Sequence, residues 1–174
     1  IGDVRPRGTI TGNFHRIAAS QLIVAVKAIG STDTAVKNSK NINLLRLEAR
    51  SGEAKDILLT KLIFNSASGS LNNGQNYALW VDTDGDGKVD TVLEKGVTAQ
   101  SSKVTFGQLT GGGFVIPKEK TVVFEVHSDI SASLAGTSPI LSIRFDTGAT
   151  FIQAEQVSDG SSLSGIQTKA ISSS

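Results

Sequence analysis

The sequence predicts an all-β fold, an antiparallel β-sandwich of immunoglobulin-like or jelly-roll-like kind with an extended N-terminal strand segment. Three observations predict it. Apolar and polar residues alternate with period two in one run after another, as in strands with one face in a core. Clusters of Gly, Asn, Asp, Ser and Pro separate those runs and supply turn chemistry. Apolar residues at helical spacing are nearly absent. A chain of 174 residues with 39% apolar content can bury a real core in one domain. Two packed sheets are the natural way to cover one face of each alternating strand.

Residues 1–40 form an N-terminal extension and a candidate donor strand. IGDVRPRGTITGNF is polar and reads as extended. In QLIVAVKAI, Leu22, Val24 and Val26 share one face of a strand, and Ile23, Ala25 and Ile29 share the other. Phe14, Ile17, Ala18, Leu22, Ala25 and Ile29 also fall at helical spacings. The β-branched run Ile23, Val24 and Val26 favours strand. A strand apolar on both faces wants burial on both. Residues 22–29 are therefore expected at the centre of the chain's own sheet or in a groove on a neighbouring copy. The polar stretch STDTAVKNSKN then links to the body of the domain, residues 41–158.

In the body, Leu45, Leu47 and Ala49 alternate with Arg46, Glu48 and Arg50. Tyr77, Leu79 and Val81 alternate with Ala78, Trp80 and Asp82. Val122, Phe124 and Val126 alternate with Val123, Glu125 and His127. Leu141, Ile143 and Phe145 alternate with Ser142, Arg144 and Asp146. Each run predicts a half-buried strand. Further strands are expected over 57–65, 89–94, 103–106, 114–116 and 151–157. SASGSLNNGQN, DGDG, LTGGG, IPKEK, LAGTSP and DTGAT are the separating turns. Pro117 and Pro139 sit at strand starts, where a missing N–H does little harm. The Ser-rich segment 159–174 reads as a tail or a further connecting strand.

Composition narrows the function. Net charge is +1, with Lys and Arg scattered and no basic cluster interleaved with aromatics. Neither nucleic acid nor an anionic membrane surface is a natural partner. The longest apolar run, 22–26, is far below the roughly 20 residues of a membrane-spanning helix. There is no Cys, which excludes disulfides and thiolate chemistry. There is no Met, and residue 1 is Ile, so processing at an upstream site or a missing part of the gene product is expected.

The most informative stretch is LWVDTDGDGKVDTVLEKG. Asp82, Asp84, Asp86 and Asp90 occupy positions 1, 3, 5 and 9 of DTDGDGKVD, Gly87 at position 6 permits a sharp turn, and Lys88 at position 7 offers its backbone carbonyl. Oxygen ligands at alternate positions suit Ca²⁺, which takes six to eight oxygens, better than the strict octahedron of Mg²⁺. Transition metals would want imidazole or thiolate. Position 12, where an EF-hand places a bidentate Glu, is Leu93, and the flanks read as strands. Asp and Gly also form turns without any ion, but four carboxylates this close repel one another unless a cation is present. The expected cofactor is a structural Ca²⁺ held by Asp82, Asp84, Asp86, Asp90 and the Lys88 carbonyl. A loop that saturates the ion leaves no open position for catalysis.

No other constellation carries chemistry. His127, Ser128 and Asp129 are adjacent in sequence, and a triad needs groups converging from separate elements. Glu48, Glu125 and Asp146 are not singled out as a glycosidase pair. GxSxG, P-loop and HExxH motifs are absent. His127 reads as a strand-face histidine and Trp80 as a packing residue beside the loop. An enzyme is not expected.

From residue 45 to about 157, LRLEA, SGEAKDILLTKLIFN, LWVDTDGDGKVDTVLEKGV, VTFGQL and IPKEKTVVFEVHSDIS follow one another. That succession resembles a β-sandwich module, with a DxDxDG calcium-type hairpin loop, found in exported surface proteins of bacteria and archaea. The resemblance implies an extracellular, cell-surface location and a role in adhesion or assembly. The expected function is a structural subunit of a filament, pilus or surface layer. Its partner would be a further copy of itself, joined by donated strands. The alternative is a monomeric adhesin or carbohydrate-binding module with a cell-surface or glycan ligand.

Overall fold

The computed structural model describes residues 20–27, 35–52, 55–134, 139–146, 150–163 and 166–169. Eleven strands follow in order: β1 Leu22–Lys27, β2 Ile42–Ser51, β3 Ile57–Gly69, β4 Gly74–Val81, β5 Thr91–Val97, β6 Lys103–Phe106, β7 Phe114–Ile116, β8 Thr121–Ile130, β9 Leu141–Arg144, β10 Ile152–Gln156 and β11 Ile166–Lys169. Two single 3-10 turns, Leu71–Asn73 and Thr110–Gly112, are the helical elements among the described residues. The expected extended start, the helical alternative through Phe14 and Ile17, and Ile29 lie outside those residues.

The strands form two sheets. The first has six strands in the order β11-β1-β2-β8-β4-β5. The second is built around the long strand β3, with β10 and β9 along one edge and β6 and β7 along the other. All ladders are antiparallel except β1 with β11, which run parallel with Leu22 opposite Ile166. β11 arrives at this edge from the opposite sheet, so no hairpin dictates its direction.

The inward faces are those that period two marks. Leu45, Leu47, Ala49, Tyr77, Leu79, Val81, Phe124 and Val126 of the first sheet meet Ile57, Leu59, Leu62, Phe64, Phe106 and Ile152 of the second in one core. Phe114 of β7 meets Phe124 of β8 edge-to-face at 5.6 Å, joining the two layers. β3 carries two irregularities, one between Ser66 and Ser68 against β9 and one opposite β10. The latter is a bulge in the core-facing part of the strand. Thr60 and Lys61 are consecutive outward residues, and Gln153 lies opposite Lys61 while Ala154 lies opposite Leu59. This bulge keeps Leu62 and Phe64 in the core.

The N-terminal strand lies inside the chain's own first sheet. β1 pairs with β2 from Leu22 opposite Ser51 to Lys27 opposite Arg46, and β11 covers its other edge. Leu22 and Val24 are 0% and 2% exposed. The segments expected as N-terminal extension and Ser-rich C-terminal segment thus meet on neighbouring strands.

Strand β4 starts under a steric constraint. Tyr77 is fully buried and its hydroxyl donates to the Leu71 carbonyl at 2.6 Å. Burial pushes the phenol up to about 12. A Cβ on Gly74 would stand 2.4 Å from the Tyr77 hydroxyl and 2.6 Å from Ser128 Oγ. Only glycine fits there.

Candidate functional site

The loop 82–90 joins β4 to β5, and its base continues the sheet. The Asp82 N–H donates to the Val123 carbonyl at 3.0 Å, and the Asp90 N–H donates to the Val81 carbonyl at 3.0 Å. The flanks are strands, as the apolar alternation on either side requires.

Within the loop the aspartates fold the backbone around themselves. Asp82 is 6% exposed, and its two carboxylate oxygens accept from the N–H groups of Gly85 at 2.7 Å and Gly87 at 2.8 Å. Asp84 accepts from the Asp86 N–H at 3.1 Å, and Asp86 accepts from the Lys88 N–H at 2.7 Å. These are Asx turns in series, which the i to i+2 spacing of aspartates makes possible. Gly85 and Gly87 have φ of 80° and 86°, in the left-handed region that this winding requires.

The winding brings three carboxylates together. One oxygen each from Asp82, Asp84 and Asp86 lies within 4.8 Å of the other two. This group could hold a metal ion, and an all-oxygen donor set suits a hard cation. Asp90 is placed differently. Its carboxylate accepts from the Thr83 N–H at 3.1 Å and from Thr83 Oγ1 at 2.7 Å, which ties the two ends of the loop together. Hydrogen bonds from Thr91 and then Thr83 hold it below the usual carboxylate range. Lys88 is exposed and enters the loop through its backbone N–H.

A polar chain beneath the loop escapes sequence reasoning. Arg46 on β2 donates through Nη2 to the Gly87 carbonyl at 2.7 Å and through Nη1 to Glu125 on β8 at 3.1 Å. Glu125 is only 9% exposed, and its other oxygen lies 2.8 Å from His127 Nε2. His127 Nδ1 makes a 2.9 Å hydrogen bond with Asn41 Oδ1, and the His127 ring packs 5.6 Å from that of Trp80. Alternation places Arg46 and Glu125 on outward faces. Their direct opposition depends on the β2–β8 register, which has no local signal. The buried Trp80 Nε1 has no hydrogen-bond partner among the described residues, so the indole N–H is not offered at the surface.

The carboxylates considered for hydrolysis are each engaged in an ion pair. Glu48 pairs with Lys27 at 3.0 Å, Glu125 with Arg46, and Asp146 with Arg144 at 2.8 Å. A shallow hollow of about 420 Å³ lies over β3, β6 and β10, lined by Thr60, Lys61, Glu94, Thr105, Gln108 and Gln153. It has no aromatic lining residue. His15 lies outside the described residues. Among the described residues no helix is long and apolar enough to cross a membrane.

In comparison with known proteins, the chain matches no protein-family model and has no significant match to a curated protein.

Proposed function

We propose that this chain is a structural subunit of an extracellular filament, pilus or surface layer, assembling through donated β-strands and stiffened by Ca²⁺ in the 82–90 loop. One observation carries the reading. β1 contributes Leu22 and Val24 to the core, yet it reaches its antiparallel neighbour β2 only through residues 28–41. Adjacent antiparallel strands ordinarily need a connection of two to five residues. A strand with a core-filling face and a long tether can fill its own groove or that of a neighbour with the same hydrogen bonds and the same apolar contacts. Donation in one direction does not close on itself and propagates as a fibre.

The cation has a mechanical role in this reading. It would neutralise Asp82, Asp84 and Asp86 and fix the tip of the β4–β5 hairpin, with no step of chemistry attached. The adhesin alternative is less well supported, because the hollow over β3, β6 and β10 lacks an aromatic platform for a sugar.

The test uses the Cys-free background. Ala25 and Glu48 are direct cross-strand partners, so the double variant A25C/E48C brings two thiols within disulfide range. Oxidised glutathione added to the assembled protein should give a ladder of covalent multimers on non-reducing gels. A monomeric disulfide, together with no filaments or lattices by electron microscopy, would leave β1 as an intrinsic strand and remove this reading.

A further inference from the structure

The two edges of β1 are held by elements with very different freedom. On one edge, β2 belongs to the body of the sheet. On the other, β11 has β1 as its sole ladder neighbour among the described residues of the first sheet. β11 is itself anchored close by. The Leu163 N–H donates to the Ala154 carbonyl at 2.9 Å, Ser162 bridges to Glu155, and the Leu163 side chain is buried in the core. Only residues 164 and 165 separate Leu163 from the start of β11. At full extension that span reaches roughly 10 Å.

The tether of β1 is longer. Among the described residues, its first anchor to the body after Lys27 is Ser39, whose carbonyl accepts the Ile130 N–H at 2.8 Å. Beside it, Lys40 and the Asn41 N–H both bind Asp129. From Lys27 to Ser39 an extended chain covers roughly 40 Å, about the breadth of a domain of this size. β1 can therefore leave its own sheet for that of a neighbour, and β11 cannot go with it.

We propose that β11 is a latch belonging to the accepting subunit. On the strand-donation reading, which this inference rests on, an incoming β1 is gripped on both edges by one acceptor. Its β2 pairs antiparallel and its β11 pairs parallel, with Leu22 of the donor opposite both Ser51 and Ile166 of the acceptor. The partner recognised is a second copy of this chain, through the apolar residues Leu22 and Val24 on the core face and the backbone groups of both edges. The latch turns the donated strand from an edge strand into an interior one. No backbone ladder of β1 is then left open to water, and release needs two ladders to break.

The test adds one variant to the pair above. Ala25 is the register partner of Glu48 on β2 and of Lys169 on β11. A25C/E48C and A25C/K169C, each in the full chain, are assembled, oxidised with oxidised glutathione and run on non-reducing gels. The latch predicts that both variants convert the monomer band into a ladder. A ladder for A25C/E48C with a monomeric disulfide for A25C/K169C would mean that β11 travels with the donor strand, and would overturn the latch alone. A ladder for the first and no disulfide for the second would also overturn it. Monomeric disulfides in both would end the donation reading and the latch with it.

Discussion

Two acidic knots hold the opposite ends of strand β4, and they are built in opposite ways. At its C-terminal end, the partners of Asp82, Asp84 and Asp86 are backbone N–H groups no more than five residues along the chain. At its N-terminal end, Asp129 accepts from Lys40 Nζ at 3.1 Å, the Asn41 N–H at 3.0 Å and Asn76 Nδ2 at 2.9 Å, groups 53 to 89 residues distant in sequence. The first knot crowds like charges and could hold a cation. The second brings three donors from two distant parts of the chain, Lys40 with Asn41 and Asn76, to one carboxylate. A carboxylate satisfied from far away fastens the fold.

The sharpest way to break the Asp129 end is at Gly74, whose pairing partner Ile130 adjoins Asp129. Gly74→Ala drives a methyl group into the Tyr77 hydroxyl and Ser128. Overpacking of this kind costs about 3 kcal/mol, and urea unfolding should show it. A loss below about 0.5 kcal/mol, the range of an ordinary surface substitution, would mean that β4 starts without the constraint described.

On the proposed reading, the aspartate loop responds to a cation. Ca²⁺ at a hundredfold excess over its dissociation constant should raise the unfolding free energy by about 2.7 kcal/mol, and a chelator should reverse the rise in melting temperature. Asp84→Asn should abolish most of that gain. Without Ca²⁺ the same variant should melt at or slightly above the wild-type temperature, because it relieves repulsion between neighbouring carboxylates. A melting curve indifferent to Ca²⁺ and chelator would reduce the loop to a turn.

The smallest effect separates the two ends by pH. The Asn76 amide foremost, then the Asn41 N–H and Lys40, hold the Asp129 carboxyl below its ordinary range. A depressed folded value contributes stability that is present above the unfolded value of about 3.9 and is lost as pH falls through the folded one. Asp129→Asn should cost roughly 1 kcal/mol at neutral pH through the lost charge-assisted hydrogen bonds. The gap to wild type should close in acid, below about pH 4. A gap unchanged from pH 7 to pH 3 would show that the amide and ammonium contacts contribute nothing.

Much of the fold was legible because strand faces obey a two-residue period. Leu45, Leu47, Tyr77, Leu79 and Phe124 point inward as the alternation requires. The β-branched run Ile23, Val24 and Val26 resolved the N-terminal ambiguity toward strand. Strand ends were less legible. β3 runs on to Gly69 through SASG, because β9 pairs with residues whose composition alone signals a turn. β11 forms in a Ser-rich segment because β1 offers it an open ladder. At the candidate site, the convergence of Asp82, Asp84 and Asp86 followed from spacing. The pairing of Asp90 with Thr83 did not, since the Thr hydroxyl competes for the carboxylate only once the loop is wound.

By itself the sequence determined what neighbouring residues can settle: which face of each strand is apolar, where the chain turns, and that alternate aspartates with glycines at φ near 80° wind into an oxygen-lined loop. Tertiary structure alone decided the register that sets Arg46 opposite Glu125 and beneath Gly87, the three distant donors on Asp129, and the parallel seam of β1 with β11. Those contacts join residues far apart in the chain. No local periodicity encodes them, and they appear only when two sheets close over a common core.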